Sequence, residues 1–297
     1  MSSRIGKPQE LEIVGGEAPG DWLAEYAGTE DKSLDSMQEY RILPRIKQIQ
    51  GTTSDELVDQ FGEGSVVVMP GPIEICKKGG AFTFVPIFMW TEFWKMSSLR
   101  DQQSPMVLEK TKDKTSSLSV KARQSDSRNF YYELSEDSTS KEVKDPGKGW
   151  KKDGDGGVYT GRYVEVLIFA IVITTPGHDL AGTGCTISFM KGEFTTGRNF
   201  CNAIGMRKVS TANGPCQAPL WSTQWEASPT RRTRGKDQKW WGLDIRNPES
   251  PYIDPKDVPF YKGMYDEISL LHSKDAVGMD TSDMEEESEQ NSASSKF

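Results

Sequence analysis

Apolar and polar residues alternate through much of the chain, and a two-residue period predicts strands. In 40–50, Ile42, Ile46 and Ile49 stand among Arg41, Arg45 and Lys47, and Pro44 limits pairing. The run 65–69 is rich in β-branched residues and stops at Pro70-Gly71-Pro72. Segments 73–76 and 81–90 flank Lys77-Lys78-Gly79-Gly80, a hairpin signal in which glycine supplies the positive φ. Residues 101–157 lose the pattern. They are rich in Ser, Lys, Asp and Gly around one aromatic island, 129–133, and predict a long, partly mobile insertion. Residues 162–174 are apolar on both faces after Val166 and predict a central strand, followed by another at 184–190. The period then changes: Thr195 or Thr196 caps a short helix carrying Phe200, Ala203 and Ile204 on one face, and Gly205 ends it. Strands at 218–227 and 239–245 enclose the basic segment 228–238, and a last helix falls within 257–272.

The order strand, strand, helix, strand, basic loop, strand over 162–245, with the earlier hairpin at 65–90, resembles an oligonucleotide-binding (OB) barrel. The expected fold is mainly β: an OB-like five-stranded antiparallel barrel with one inserted short helix. The expected organisation is an N-terminal arm over 1–39, the barrel domain over 40–250 with 101–157 as its insertion, a C-terminal helix over 251–273, and a disordered acidic tail over 274–297.

Charge sharpens the division. The chain of 297 residues carries a formal net charge of -8. Seven acids and one lysine fall in 275–297, so most of the excess belongs to the tail, and the low pI of about 5.1 does not argue against an anionic partner. A mean hydropathy of -0.61 leaves room for one core plus much solvated chain. Four cysteines at 76, 185, 201 and 216 include no C-x-x-C pair and read as reduced small hydrophobes. The longest apolar run, 164–173, is half the length of a membrane helix and no leader pattern precedes it, so the expected compartment is the cytoplasm.

Candidate chemistry concentrates in one predicted hairpin. Trp221, Thr223 and Trp225 share a strand face by alternation, Trp240 and Trp241 open the partner strand, and Arg231, Arg232, Arg234, Lys236 and Lys239 lie between. Cations attract phosphates and indoles stack on unpaired bases, so the combination points to single-stranded nucleic acid. Leu243 and Ile245 share a face with Trp241, which makes Trp241 the core residue and Trp240 the exposed one. A second cluster holds Trp90, Phe93, Trp94 and Lys95, and a weaker third holds Tyr131 and Tyr132 near Arg123 and Arg128.

Catalytic readings find little. Two histidines, His178 and His272, leave no material for a triad or a multi-histidine metal site. Asp153–Gly157 lacks the later ligands of a calcium loop, and Gly192–Asn199 misses a phosphate-binding loop because Arg198 and Asn199 replace the lysine and hydroxyl residue. No clustered carboxylates suggest a two-metal nuclease. The expectation is a non-enzyme with no metal or cofactor.

The acidic C-terminus ending in Phe297 resembles the tails of bacterial and phage single-stranded DNA-binding proteins. Leu43-Pro-Arg-Ile-Lys47, Phe84-Val-Pro-Ile-Phe88, Ile187–Lys191, Thr196–Phe200 and Ala218–Trp221 are similar to fragments of tailed-phage proteins of that OB type, over roughly 40–246. The resemblance implies sequence-independent single-stranded DNA binding in replication or recombination. It also implies recruitment of replication or recombination partners through Glu285, Glu286, Glu287 and Phe297, in a possible homo-oligomer. A β-rich phage structural or assembly protein, and an adaptor or enzyme acting on nucleic acid, remain as alternatives.

Overall fold

The computed structural model describes residues 41–282 except 99–100, 102–103, 105, 125–127, 135–139, 148–153, 155–156, 236–237 and 249–250. The expected arm over 1–39, Lys236, and the tail residues Glu285, Glu286, Glu287 and Phe297 lie outside the described residues.

Two long strands organise the molecule, β5 (Phe82–Met96) and β9 (Val158–Ile173). They pair antiparallel from Phe84↔Ile173 to Met96↔Arg162, with a bulge between Pro86 and Phe88 where proline has no N–H for the ladder. The first strands in the chain are β1 (Arg41–Leu43), β2 (Arg45–Gln48), β3 (Val66–Met69) and β4 (Ile73–Cys76). Later come β10 (Gly184–Phe189), β13 (Trp225–Arg234) and β14 (Gln238–Arg246). Their order with the long pair is β14-β13-β5-β9-β10-β2-β3-β4. The β2–β10 pairing is parallel.

At its other end the long ribbon carries β6 (Val107–Thr111) on β5, and β7 (Asn129–Leu134) with β8 (Ser140–Val143) on β9. The result is one eleven-stranded mixed sheet that does not close. Two small pairings stand apart from it: β11 (Lys208–Thr211) with β12 (Gly214–Gln217), and β1 parallel to β15 (Val277–Met279). Among the described residues four helices accompany the sheet: α1 (Asp55–Phe61), α2 (Ser117–Arg123), α3 (Phe194–Gly205) and α4 (Val258–Ser273).

The expected five-stranded OB barrel is therefore incorrect, and the resemblance built on it fails with it. The structure is a large mixed α/β domain with an open sheet. The expected insertion, 101–157, contains β6, α2, β7 and β8 and joins the sheet rather than hanging from it. The expected strand 218–227 is a 3-10 turn at Leu220–Ser222 followed by β13, and most of the expected basic loop is the body of that strand.

Strand alternation divides the interior in two. Leu167, Phe169, Ile171 and Ile173 of β9 enter a core shared with β2, β3, β4, β10, β13 and α3. Val164, Val166, Ile168, Ala170 and Val172 face a second core closed by α4 and β15. The α3 helix packs close through Gly197, where a Cβ would fall 2.6 Å from the Cβ of Phe189. A smaller cluster under α2 holds Phe93, Phe130, Tyr132 and Tyr163. Among the described residues no helix is long and apolar enough to cross a membrane.

Candidate functional site

The aromatic residues expected to stack on bases are mostly in the cores. Trp94 is 0% exposed and Trp225 1%. Trp90 and Trp94 lie in the second core and donate their indole N–H groups, each at 2.8 Å, to the two oxygens of buried Glu92. Trp225 packs edge-on against Phe200 at 4.9 Å and donates to Thr223 Oγ1 at 3.0 Å. Trp221 belongs to the 3-10 turn, half-buried against the second core. Trp241 is buried and donates to Glu63 at 2.9 Å, while half-buried Trp240 donates to Glu193 at 2.8 Å. In the third cluster Tyr132 is sealed and donates to Asp101 at 2.6 Å. Magnitudes decide this outcome. Burying about 150–250 Å² of an aromatic side chain at about 25 cal/mol per Å² is worth roughly 4–6 kcal/mol. A base stack returns about 1–3 kcal/mol.

The cations do not gather either. The register pairs Arg231 with Trp241 and Arg232 with Trp240, so Arg231 and Lys239 project from one face of the hairpin and Arg232 and Arg234 from the other. Arg232 turns inward, donating to Leu243 O at 2.8 Å and Thr196 at 3.3 Å, with its Nε 3.5 Å from Glu193. Arg231, Arg234 and Lys239 are exposed. Lys95 lies on the face opposite Trp94, paired with Glu142 and over the Phe130 ring. Among the described residues no open trough joins cations to indoles, and the expected single-stranded DNA mechanism, which needs exposed aromatic rings, is not supported. The hairpin is also tied down: the Gln50 amide donates to Trp241 O and accepts from Trp241 N, both at 2.8 Å, capping the free edge of β14. A Cβ on Gly64, which has φ +92°, would meet the Trp241 ring at 2.9 Å.

Two cavities among the described residues bear on function. The smaller, about 150 Å³, is lined by Glu92, Lys110, Thr111, Lys112, Asp275, Val277 and Gly278. Three of its charged groups, Glu92, Lys112 and Asp275, are committed. Glu92 holds the two indoles, and Lys112 is bound to Asp275 at 2.6 Å and Val277 O at 2.7 Å. Burial and then the Lys112 charge push the neighbouring His272 down, so its imidazole is neutral where it packs 5.1 Å from the Phe88 ring. The larger cavity, about 410 Å³, is a cleft at the end of β9 beside the first turn of α4. Val85, Ile173, Pro176, Ala181 and Ile253 give it apolar walls, and Thr174, Gln224, Asp254, Asp257 and Tyr261 bring polar groups to it.

Local structure explains how those groups converge. Gln224 Nε2 donates to Thr174 Oγ1 at 2.9 Å, and Thr174 Oγ1 in turn to Thr83 Oγ1 at 3.1 Å, and the Gln224 side-chain oxygen has no partner among the described residues. Asp254 caps the 3-10 turn before α4 by accepting from Lys256 N at 3.0 Å, and pairs with the Lys256 ammonium at 3.2 Å. Those Lys256 contacts hold its carboxyl below the usual value. Asp257 forms no ion pair among the described residues. Tyr261 is 8% exposed, its ring in the second core, and its hydroxyl has no hydrogen-bond partner among the described residues. Burial, then the Asp257 charge, pushes the phenol up, so it remains a neutral donor and acceptor.

No family model, curated protein or solved structure matches this chain. Its function is therefore argued from geometry alone. No motif marks the cleft in the sequence. Asp254 and Asp257 read only as acids at a helix start, and Gln224 has no signature between two tryptophans. Among the described residues no three His, Cys, Asp or Glu side chains group as metal ligands.

Proposed function

We propose that this chain is a non-catalytic binding module that takes a small organic group into the 410 Å³ cleft between the end of β9 and the start of α4. One observation carries the reading: Tyr261, with its ring buried in the core, lines that cleft and has no hydrogen-bond partner for its hydroxyl among the described residues. The ring is buried but the hydroxyl is open to the cleft, and a hydroxyl held on a buried ring in a concave, partly apolar site beside Gln224 and Asp257 is suited to a ligand's hydrogen bond. The fold supports this use. The cleft sits on the ends of two rigid strands and a four-turn helix, which favours a site already shaped before binding.

The test is a fragment screen by methyl NMR, with assigned Val85, Ile173, Ala181 and Ile253 as reporters. The expected result is a family of hits whose shifts centre on those four methyl groups and disappear in Tyr261→Phe or Gln224→Ala. Hits that cluster elsewhere on the domain, or a screen with no hits at millimolar concentration, would overturn the reading. The compartment is proposed as the reducing cytoplasm. Support comes from Cys76, Cys185, Cys201 and Cys216, all free thiols, of which Cys76 and Cys185 are buried.

A further inference from the structure

We infer that the group accepted by the cleft is a cation, a primary ammonium or guanidinium on a short apolar stem. This inference rests on the cleft being the binding site. Five polar residues line it, and each supplies an oxygen that can accept a hydrogen bond: Thr174, Gln224, Asp254, Asp257 and Tyr261. No lysine, arginine or histidine is among its lining residues. An anion has one possible attraction here, the N-terminus of α4, but Asp254 and Asp257 already stand at that end of the helix. A neutral ligand would satisfy Tyr261 and leave Asp257 with no partner beyond the charge of exposed Lys256.

The two carboxylates are not equivalent. Lys256 lies on the solvent side and pairs with Asp254, and it is pushed up by its hydrogen bond to Asp254 and then by the charges of Asp254 and Asp257. It does not line the cleft. Asp257, half-buried and without an ion pair among the described residues, lines the cleft with Tyr261, and its charge adds to burial in pushing the phenol up. A cation between them would accept hydrogen bonds from neither and donate to both, using donors that an ammonium or guanidinium carries in excess. The walls formed by Val85, Ile173, Pro176, Ala181 and Ile253 suit a stem of a few methylenes, as in a small alkylamine or an exposed lysine or arginine side chain.

The test titrates the full chain with n-pentylamine, with n-pentanol and valerate as its neutral and anionic counterparts, and with agmatine as a guanidinium-bearing dication, following the Ile173, Ala181 and Ile253 methyls. Acetyl-lysine-methylamide, free at its ε-amine, forms a fifth arm. The two amines are expected to bind at least about tenfold more tightly than pentanol, with valerate weakest, because a hydrogen bond to a charged group is the stronger kind. Asp257→Asn, which keeps the shape, should erase that margin, and Tyr261→Phe should weaken the amines several-fold. Preference for acetyl-lysine-methylamide over pentylamine assigns the site to a protein side chain, and the reverse assigns it to a free amine. Pentanol or valerate binding as tightly as pentylamine overturns the cation while leaving the cleft as a site. No methyl shift with any probe overturns both. Should Asp257→Asn fail to fold by circular dichroism, the wild-type ranking of amine over alcohol decides the matter.

Discussion

Replacing Glu92 by leucine should destabilise the domain severely, and the reason is local. Glu92 is 4% exposed in an apolar layer, and its two oxygens accept the indole N–H groups of Trp90 and Trp94 at 2.8 Å each. Leucine restores apolar volume but orphans two buried donors, each costing about 1–3 kcal/mol, for a total of roughly 2–6 kcal/mol. That is a large share of the roughly 5–15 kcal/mol that holds a domain together. Glutamine keeps one acceptor and points an amide donor at the other indole, so Glu92→Gln should cost about 1–3 kcal/mol. The decisive comparison is a cycle. In a Trp90→Phe/Trp94→Phe background no indole donor remains, and Glu92→Leu should there be close to neutral. Urea unfolding followed by circular dichroism gives each difference from the midpoint at constant slope. A leucine cost that is equal in both backgrounds, or below about 1 kcal/mol in the native one, would show that the indole–carboxylate bonds are not what the glutamate supplies.

Other consequences are testable in the same way. Gln50→Ala removes both bonds to the Trp241 backbone, so it should cost about 1–3 kcal/mol and free the edge of β14, giving concentration-dependent association in sedimentation velocity. Gly197→Ala forces a methyl against Phe189 and should cost about 1–3 kcal/mol by urea unfolding despite alanine's better helix propensity. Burial, with Glu74 adding, pushes the Cys76 thiol up to about 12 from an ordinary 9.0, so it stays protonated in the fold while the unfolded chain ionises. Its contribution is complete below pH 9.0 and is lost as pH rises toward 12; the urea midpoint should fall over that window, less steeply in Cys76→Ala.

Several elements were readable from pattern alone because a single periodicity governed them. β3, β4, β10 and α3 fall where apolar spacing put them, and α4 occupies nearly the whole span 257–272. Other elements were hidden by their surroundings. β5 continues to Met96 through Glu92, a charge that a strand pattern counts as an interruption and that the fold accommodates with two indoles. β6, β7 and β8 are polar strands at the far end of the ribbon, so few of their residues need be apolar; Phe130 and Tyr132 supply most of their burial. The parallel β2–β10 pair joins segments about 140 residues apart, which no local signal encodes.

The site was misread for a reason that applies to any aromatic and basic cluster in a strand. Closeness in sequence is not closeness on one surface: alternation sends neighbouring residues to opposite faces, and here it divides Arg231 and Lys239 from Arg232 and Arg234. The indoles were then claimed by whichever face was apolar: Trp225 by the core around Phe200, Trp90 and Trp94 by the layer beneath α4. The cleft has the opposite character. Its lining comes from four separated stretches, around Val85, between Ile173 and Gly182, at Gln224, and from Ile253 to Tyr261, none of which carries a motif. What brings them together is the end of the β5–β9 ribbon, where Thr174 bonds back to Thr83 and Gln224 bonds to Thr174. Tertiary hydrogen bonds, rather than spacing, place the acceptors there, so the chemistry of the cleft becomes visible only once the two long strands are paired.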